Sequence, residues 1–367
     1  MKILIVQDFL RSGGTERQSV LLANAFATAG HPATLLTFRP GGVLAATVNA
    51  NVNQLALQPF DTHLDWFGPR LFTASKQLRP DLILCMGRMA NCYAGGLQVQ
   101  HPRAAVVATM RTGKNLPWLF RRSLRLARHI VANSRDARDT LVREHSVPLE
   151  KISCIYNSLV FPPPPEPRGA HGGANLRAQN GASDATSVAL CVAMFRPEKN
   201  QRELIEIVSE FPPTTDWQLW LAGDGPARAA CERLVSARNL KARVKFLGFH
   251  RDPTALYNAA DFAVHASASE ALSNFLIEAQ AHGLPAVAYQ AQGIAECFQP
   301  GSTGFVIARG DRAAFRRALT QLISQTPAER AVIAAEARRY ARATFDPQRQ
   351  VAAYLELFQK LTASPTL

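Results

Sequence analysis

The chain has 367 residues, 47 % hydrophobic and 19 % charged, which is too much apolar material for one ordinary core and argues for two globular domains. Net charge is +13 and uneven: residues 1–160 hold 19 basic and 9 acidic side chains, residues 161–367 hold 22 and 19, so the first half suits an anionic partner. No apolar run approaches the roughly 18 residues of a membrane span, and residues 1–6 read as a first strand rather than a signal peptide. The six cysteines lack C-x2-C spacing and read as reduced core residues of a cytosolic protein.

Residues 3–6 form an apolar strand. A loop with Gly13 and Gly14 follows, then a helix from about Glu16 to Ala29 with Leu21, Leu22, Ala25 and Phe26 on one face and Gly30 at its end. The loop is not G-x-G-x-x-G; its glycines either let backbone approach a ligand or make an ordinary βα turn. Further strands are expected at 81–86, 104–109, 129–133 and 152–156 with helical patterns between them. This βαβ order implies a parallel, doubly wound sheet. Residues 117–128 set Leu119, Phe120, Leu124 and Leu126 among Arg121, Arg122, Arg125 and Arg128, next to Trp118. They read as a solvated helix face or as a helix lying on anionic lipid.

The first domain is placed at 1–160. Residues 161–187, proline-rich and then rich in Gly, Ala, Asn and Ser, read as a partly disordered linker. A second Rossmann-like domain, 188–345, has clear strands at 188–193, 217–222, 244–247, 262–266 and 286–289. Helices near 312–324 and 328–343 follow, and 346–367 carries a last amphipathic helix.

The most informative stretch is 261–285: a buried strand, a loop, a helix capped by Ser273 or Asn274, and a stop at Gly283 and Pro285. A helix N-terminus at a strand's carboxyl end is where such sheets bind phosphate. Glu270 in the loop and Glu278 in the helix would repel phosphate but can accept hydrogen bonds from sugar hydroxyls on either side of one. That is the chemistry of a nucleotide-sugar site. With 15 glutamates in the chain the spacing alone carries no weight, and two solvated glutamates on a surface helix is the plain alternative.

In this setting Glu270-x7-Glu278 resembles the signature of family 4 retaining glycosyltransferases of the GT-B fold, the type that builds bacterial polysaccharides and glycolipids. Gly13-Gly14-Thr15-Glu16, Asn133-Ser134, Ile155-Tyr156-Asn157, Pro197-Glu198-Lys199-Asn200, Ala222-Gly223-Asp224-Gly225-Pro226, Phe246-Leu247-Gly248 and Gly293-Ile294-Ala295-Glu296 agree in order. The resemblance implies an α/β fold of two Rossmann-like domains facing a central cleft, with the C-terminal tail crossing back to the first. It implies that Lys199, helped by Arg196, pairs with the donor diphosphate, that Glu278 holds the ribose, and that Glu270 faces the transferred sugar. Ser273, Asn274 and Phe275 would meet the phosphates, Gly248 and His250 would lie against the base, and Gly14 would approach the donor.

The family often has histidines where Met86 and Arg111 stand, and an arginine where Met194 stands. In their place Arg88, Asn91, Arg111 and Lys114 are candidates for an anionic acceptor, with Thr112 in the same loops. The expected partners are a nucleotide sugar, UDP- or GDP-linked, and a glycan or lipid-linked acceptor, with no cofactor and no metal. The expected location is cytoplasmic, peripheral at the inner face of the membrane. The rival readings are a nucleotide-sugar epimerase of the same architecture and a non-catalytic partner subunit. Nucleic-acid binding rests on pI alone.

Overall fold

The computed structural model describes residues 1–162, 172–212 and 214–363 and divides into two compact units, 1–158 with 346–367, and 159–345. The first unit runs β1 (Ile3–Gln7), α1 (Gly14–Thr28), β2 (Ala33–Thr37), β3 (Asn53–Ala56), α2 (Leu71–Leu78), β4 (Leu82–Cys85), α3 (Ala90–Gln100), β5 (Ala105–Met110), α4 (Trp118–Leu126), β6 (His129–Ala132), α5 (Arg135–His145) and β7 (Ile152–Cys154). Its strands pair in parallel in the order β3-β2-β1-β4-β5-β6-β7. Side chains alternate across the sheet: Leu4 and Val6 enter the core beneath α2–α5, while Ile3 and Ile5 enter the one beneath α1. β2 and β3 were not expected from sequence. β3 is an edge strand whose Asn53, Gln54 and Ala56 are exposed, so it has no apolar run to betray it.

The second unit runs α6 (Gly173–Gln179), β8 (Ser187–Val192), α7 (Gln201–Ser209), β9 (Trp217–Ala222), α8 (Arg228–Ala237), β10 (Val244–Gly248), α9 (Thr254–Ala259), β11 (Phe262–His265), α10 (Asn274–Ala281), β12 (Ala286–Tyr289), β13 (Gly304–Ile307), α11 (Arg312–Ile323) and α12 (Pro327–Phe345). The sheet is again parallel, ordered β10-β9-β8-β11-β12-β13. The order reverses between β8 and β11 here and between β1 and β4 in the first unit. At such a point the loops leave in opposite directions and open a crevice at the strands' carboxyl ends. The last helix, α13 (Pro347–Ala363), belongs to the first unit, where Tyr354 and Phe358 set their rings 6.2 and 5.5 Å from that of Phe26.

The expected linker needs a correction. Residues 163–171 lie outside the described residues, but 172–187 fold against the second unit. The cause is Arg177, 4 % exposed. Its guanidinium donates to the carbonyls of Ala259, Ser183 and Thr186 at 2.5–2.7 Å and meets the Asp261 carboxylate at 3.3 Å. One buried cation thus orders a polar stretch that has few apolar side chains to do so. Arg177→Leu should deprive three carbonyls of their donor and the buried Asp261 carboxylate of one of its cations, and cost about 3 kcal/mol or more in urea unfolding. A loss below about 1 kcal/mol would show that this anchor contributes little.

Candidate functional site

The site is built where the second sheet reverses. β8 ends in a loop that turns through Pro197–Lys199, with Arg196 just before the turn and Asn200 at φ 53° just after it. The β9 loop packs directly against this segment. Gly223 and Gly225 adopt φ 136° and 148°, and a Cβ on them would fall 2.1 and 2.5 Å from the carbonyl oxygens of Ala193 and Phe195. Only glycine fits there. The β11 loop crosses from the other side: the Ala268 amide and the Ser267 hydroxyl both donate to the Glu198 carbonyl, at 2.8 and 3.1 Å.

These crossings bring Lys199 and Glu270 together. The Lys199 ammonium and His265 Nε2 both meet Oε1 of Glu270, the histidine at 3.0 Å. Burial works to raise the Glu270 pKa, but the hydrogen bond from His265 and the charge of Lys199 outweigh it and hold the carboxyl at about 2. His265 lies inside β11 with its Nδ1 buried and without a hydrogen-bond partner among the described residues.

α10 begins at the same place. Ser273 caps it, its hydroxyl accepting from the Leu276 amide at 3.5 Å, and the thiol of Cys297 supports the cap from beneath by donating to the Gly293 and Ser273 carbonyls. Asn274 and Phe275 are therefore in the first turn, where backbone N–H groups and the helix dipole favour an anion. One turn on, Glu278 Oε2 accepts from the Tyr257 hydroxyl at 2.6 Å. Tyr257 is buried, stacked 4.7 Å from His282 and 6.2 Å from Phe275. Burial lowers the His282 pKa to about 4, so this ring is a neutral plate whose Nδ1 lies 3.1 Å from the Asn258 Oδ1. Gly248, at φ 71°, ends β10, and its carbonyl accepts from the Gly223 amide. His250 turns its Nε2 back onto the Leu247 carbonyl at 3.1 Å.

Lys199, Arg196, Glu270, Ser273, Asn274, Phe275 and Glu278 thus gather around the β8 and β11 ends, with Gly248 and His250 on the β10 loop. His265 and Tyr257 were not anticipated. A histidine inside an otherwise apolar strand was a signal available for the first, whereas Tyr257 lies 21 residues from its partner and gives none.

In the first unit Gly14 opens α1. Of the acceptor candidates, Asn91 is corrected to a structural residue: it is 1 % exposed and spends its amide on the Gly87 carbonyl, the Thr109 hydroxyl and the Thr109 amide. Arg111 reaches Asn157 Oδ1 and the Tyr354 hydroxyl at 2.5 and 2.6 Å, fastening α13 to the end of β5. Arg88 donates to the Asn115 carbonyl, and Lys114 stands exposed in the same loop. The reversal point here is held by Asp8, unmarked in the sequence, whose carboxylate accepts from the amides of Met89 and Ala90 at 3.0 and 2.6 Å. Burial raises its pKa to about 7.

Residues 174–340 match the family model for glycosyl transferases group 1, and residues 12–159 match that for glycosyltransferase family 4. The chain belongs to this family of glycosyltransferases. It is similar, at 31 % identity over 137 residues, to the lipopolysaccharide core biosynthesis glycosyltransferase LpsE of Rhizobium meliloti, covering 37 % of this chain and 39 % of that protein. It is similar, at 29 % over 196 residues, to the alpha-D-kanosaminyltransferase of Streptomyces kanamyceticus, covering 52 % and 50 %. The chain therefore spans half or less of the lengths of these two curated relatives. The fold is that of Anabaena HepE, solved in complex with UDP, at a TM-score of 0.81 and 22 % identity over 98 % of this chain and 100 % of that one. The two doubly wound sheets are those of the family; the acid–base state of the candidate site comes from its own side chains.

Glu270 has a depressed pKa, so the stability it contributes is complete above its ordinary 4.5 and is lost as the pH falls towards 2. Lys199→Met leaves the burial and removes a cation. The carboxyl should then titrate at a higher pH, read from its 13C chemical shift. Titration still near 2 would show that His265 alone holds it.

Proposed function

We propose that the protein is a retaining glycosyltransferase. It moves a sugar from a nucleoside diphosphate sugar, UDP- or GDP-linked, to a hydroxyl of a glycan or lipid-linked acceptor, without a metal ion. The observation that carries this reading is the meeting of Lys199, Glu270 and the first turn of α10 at one reversal point. The Anabaena HepE structures, which hold UDP, UDP with glucose, or UDP-glucose, support a nucleotide-sugar donor.

The diphosphate lies on the N–H groups of Asn274 and Phe275. Lys199 and Arg196 neutralise the charge that grows as it leaves, where an interaction that strengthens in the transition state speeds the reaction. Glu278, oriented by Tyr257, accepts from the ribose hydroxyls. Glu270 is ionised throughout the working pH range and is a poor base at a pKa of about 2, so it orients the transferred sugar by accepting from its hydroxyls. The acceptor proton consequently passes to the leaving phosphate oxygen. The bond from the anomeric carbon to that oxygen breaks, the bond to the acceptor oxygen forms on the same face, and configuration is kept. An epimerase of the same architecture would instead convert the donor with no acceptor present, which a donor-only incubation reveals.

A thermal-shift screen against UDP, GDP, ADP and their sugars identifies the base, since a ligand at a hundred times its Kd stabilises by about 2.7 kcal/mol. Glu278→Ala should weaken binding of the ligand so found by about 1.5–3 kcal/mol in calorimetry, through loss of charge-assisted hydrogen bonds. Unchanged affinity for every nucleotide would sink the assignment.

A further inference from the structure

The first unit sorts its charge by layer. Residues 66–134 hold eleven lysines and arginines and one acidic residue, Asp81. α2, α3 and α4, which lie side by side over one face of the sheet, contain no carboxylate at all. The layer is continuous. The Tyr93 hydroxyl of α3 donates to the Trp66 carbonyl at 2.6 Å, its ring lies 6.3 Å from that of Phe72 on α2, and the Ser123 hydroxyl of α4 bridges the Gly95 amide and the Cys92 carbonyl of α3.

The outer surface of this layer is both basic and apolar. α4 turns Phe120, Ser123 and Leu124 inward and leaves Arg121, Arg122 and Arg125 exposed, none of them in an ion pair with a carboxylate among the described residues. Trp118 is 62 % exposed and Trp66 58 %, with Phe67, Phe72 and Leu119 also open to solvent. A soluble surface of this kind normally intersperses carboxylates among its cations and hides its tryptophans. Cations without counter-charges, set among exposed aromatic rings, match a surface that is anionic in its headgroups and apolar just below them.

We infer that the α2–α3–α4 layer, together with Trp66 and Phe67, is a docking surface for an anionic lipid bilayer. The arginines rest on the phosphates, and Trp66 and Trp118 enter the boundary between headgroups and acyl chains. Sequence pointed to α4 alone. The structure adds α2, α3 and the 66–67 segment, making a broad face in place of a single helix. This inference stands apart from the transferase reading, since neither needs the other.

The four tryptophans make the test selective, because Trp217 and Trp220 are buried and only Trp66 and Trp118 can reach lipid. The full chain is mixed with vesicles of phosphatidylglycerol carrying brominated acyl chains. Expected are co-sedimentation at low salt that fades as salt approaches a Debye length of about 8 Å, quenching of the fluorescence, and little binding to phosphatidylcholine vesicles. Arg121→Glu/Arg122→Glu/Arg125→Glu should bind at least tenfold more weakly with an unchanged melting temperature, and Trp66→Ser and Trp118→Ser should each lose part of the quenching. Failure to sediment with phosphatidylglycerol at low salt overturns the inference. So does equal binding by the triple variant, or sedimentation without quenching. Binding to single-stranded RNA that matches the vesicles in strength and ignores both tryptophan changes overturns it in favour of a soluble polyanion.

Discussion

A carboxylate taken out of water must be given partners, and the site of the second unit is arranged around that need. Glu270 lies on a loop from one side of the sheet's reversal point, and Lys199 lies on a turn from the other. Neither would hold its place alone. A buried glutamate without its cation would take up a proton, and an ammonium without its carboxylate would swing to solvent. The pair therefore fastens two loops that the fold sends in opposite directions. His265 reinforces it from within the strand, and the Glu198 carbonyl ties the same loops through backbone. The cap at Ser273 and the tyrosine beneath Glu278 repeat the theme: each polar group that faces the crevice is fixed from behind by another polar group.

The first unit meets the same demand with different side chains. Asp8 occupies the equivalent reversal point and takes two amides at the start of α3, and Gly87 is obligatory there because a Cβ would lie 2.2 Å from the Asp8 carboxylate. Close by, Arg39 is almost fully buried over the Phe9 ring and binds both Asp61 and Asp65, while Arg11 shares Asp65. The loops after β1, β2 and β3 are thereby joined into one charged network.

Sequence made the centre of the second unit legible and its surroundings much less so. β11, α10, the cap and the stop at Gly283 could all be read because each leaves a local mark: an apolar run, a short polar cap, a glycine at φ 83°. The doubly wound sheets followed from alternation. What escaped notice depends on contacts distant in the chain. Tyr257 behind Glu278, Arg177 beneath Asp261 and Asp8 beneath α3 are all polar side chains whose partners cannot be inferred from their neighbours in sequence. β13 escaped for another reason than β3: its apolar run, Phe305 to Ile307, is only three residues long and only partly buried. Asn91 misled because an asparagine beside a ligand-type loop looks the same in sequence whether its amide faces solvent or the next strand.

The return of α13 to the first unit has a consequence for how the protein is made. The first sheet is complete by residue 154, yet the core beneath α1 lacks Tyr354 and Phe358 until α13 is in place. The second unit, 159–345, is contiguous and can finish folding first. A chain still being synthesised therefore holds an N-terminal unit with an open apolar face around Phe26 until α13 has emerged to close it. A chain cut short before α13 keeps every strand of both sheets and still exposes that face.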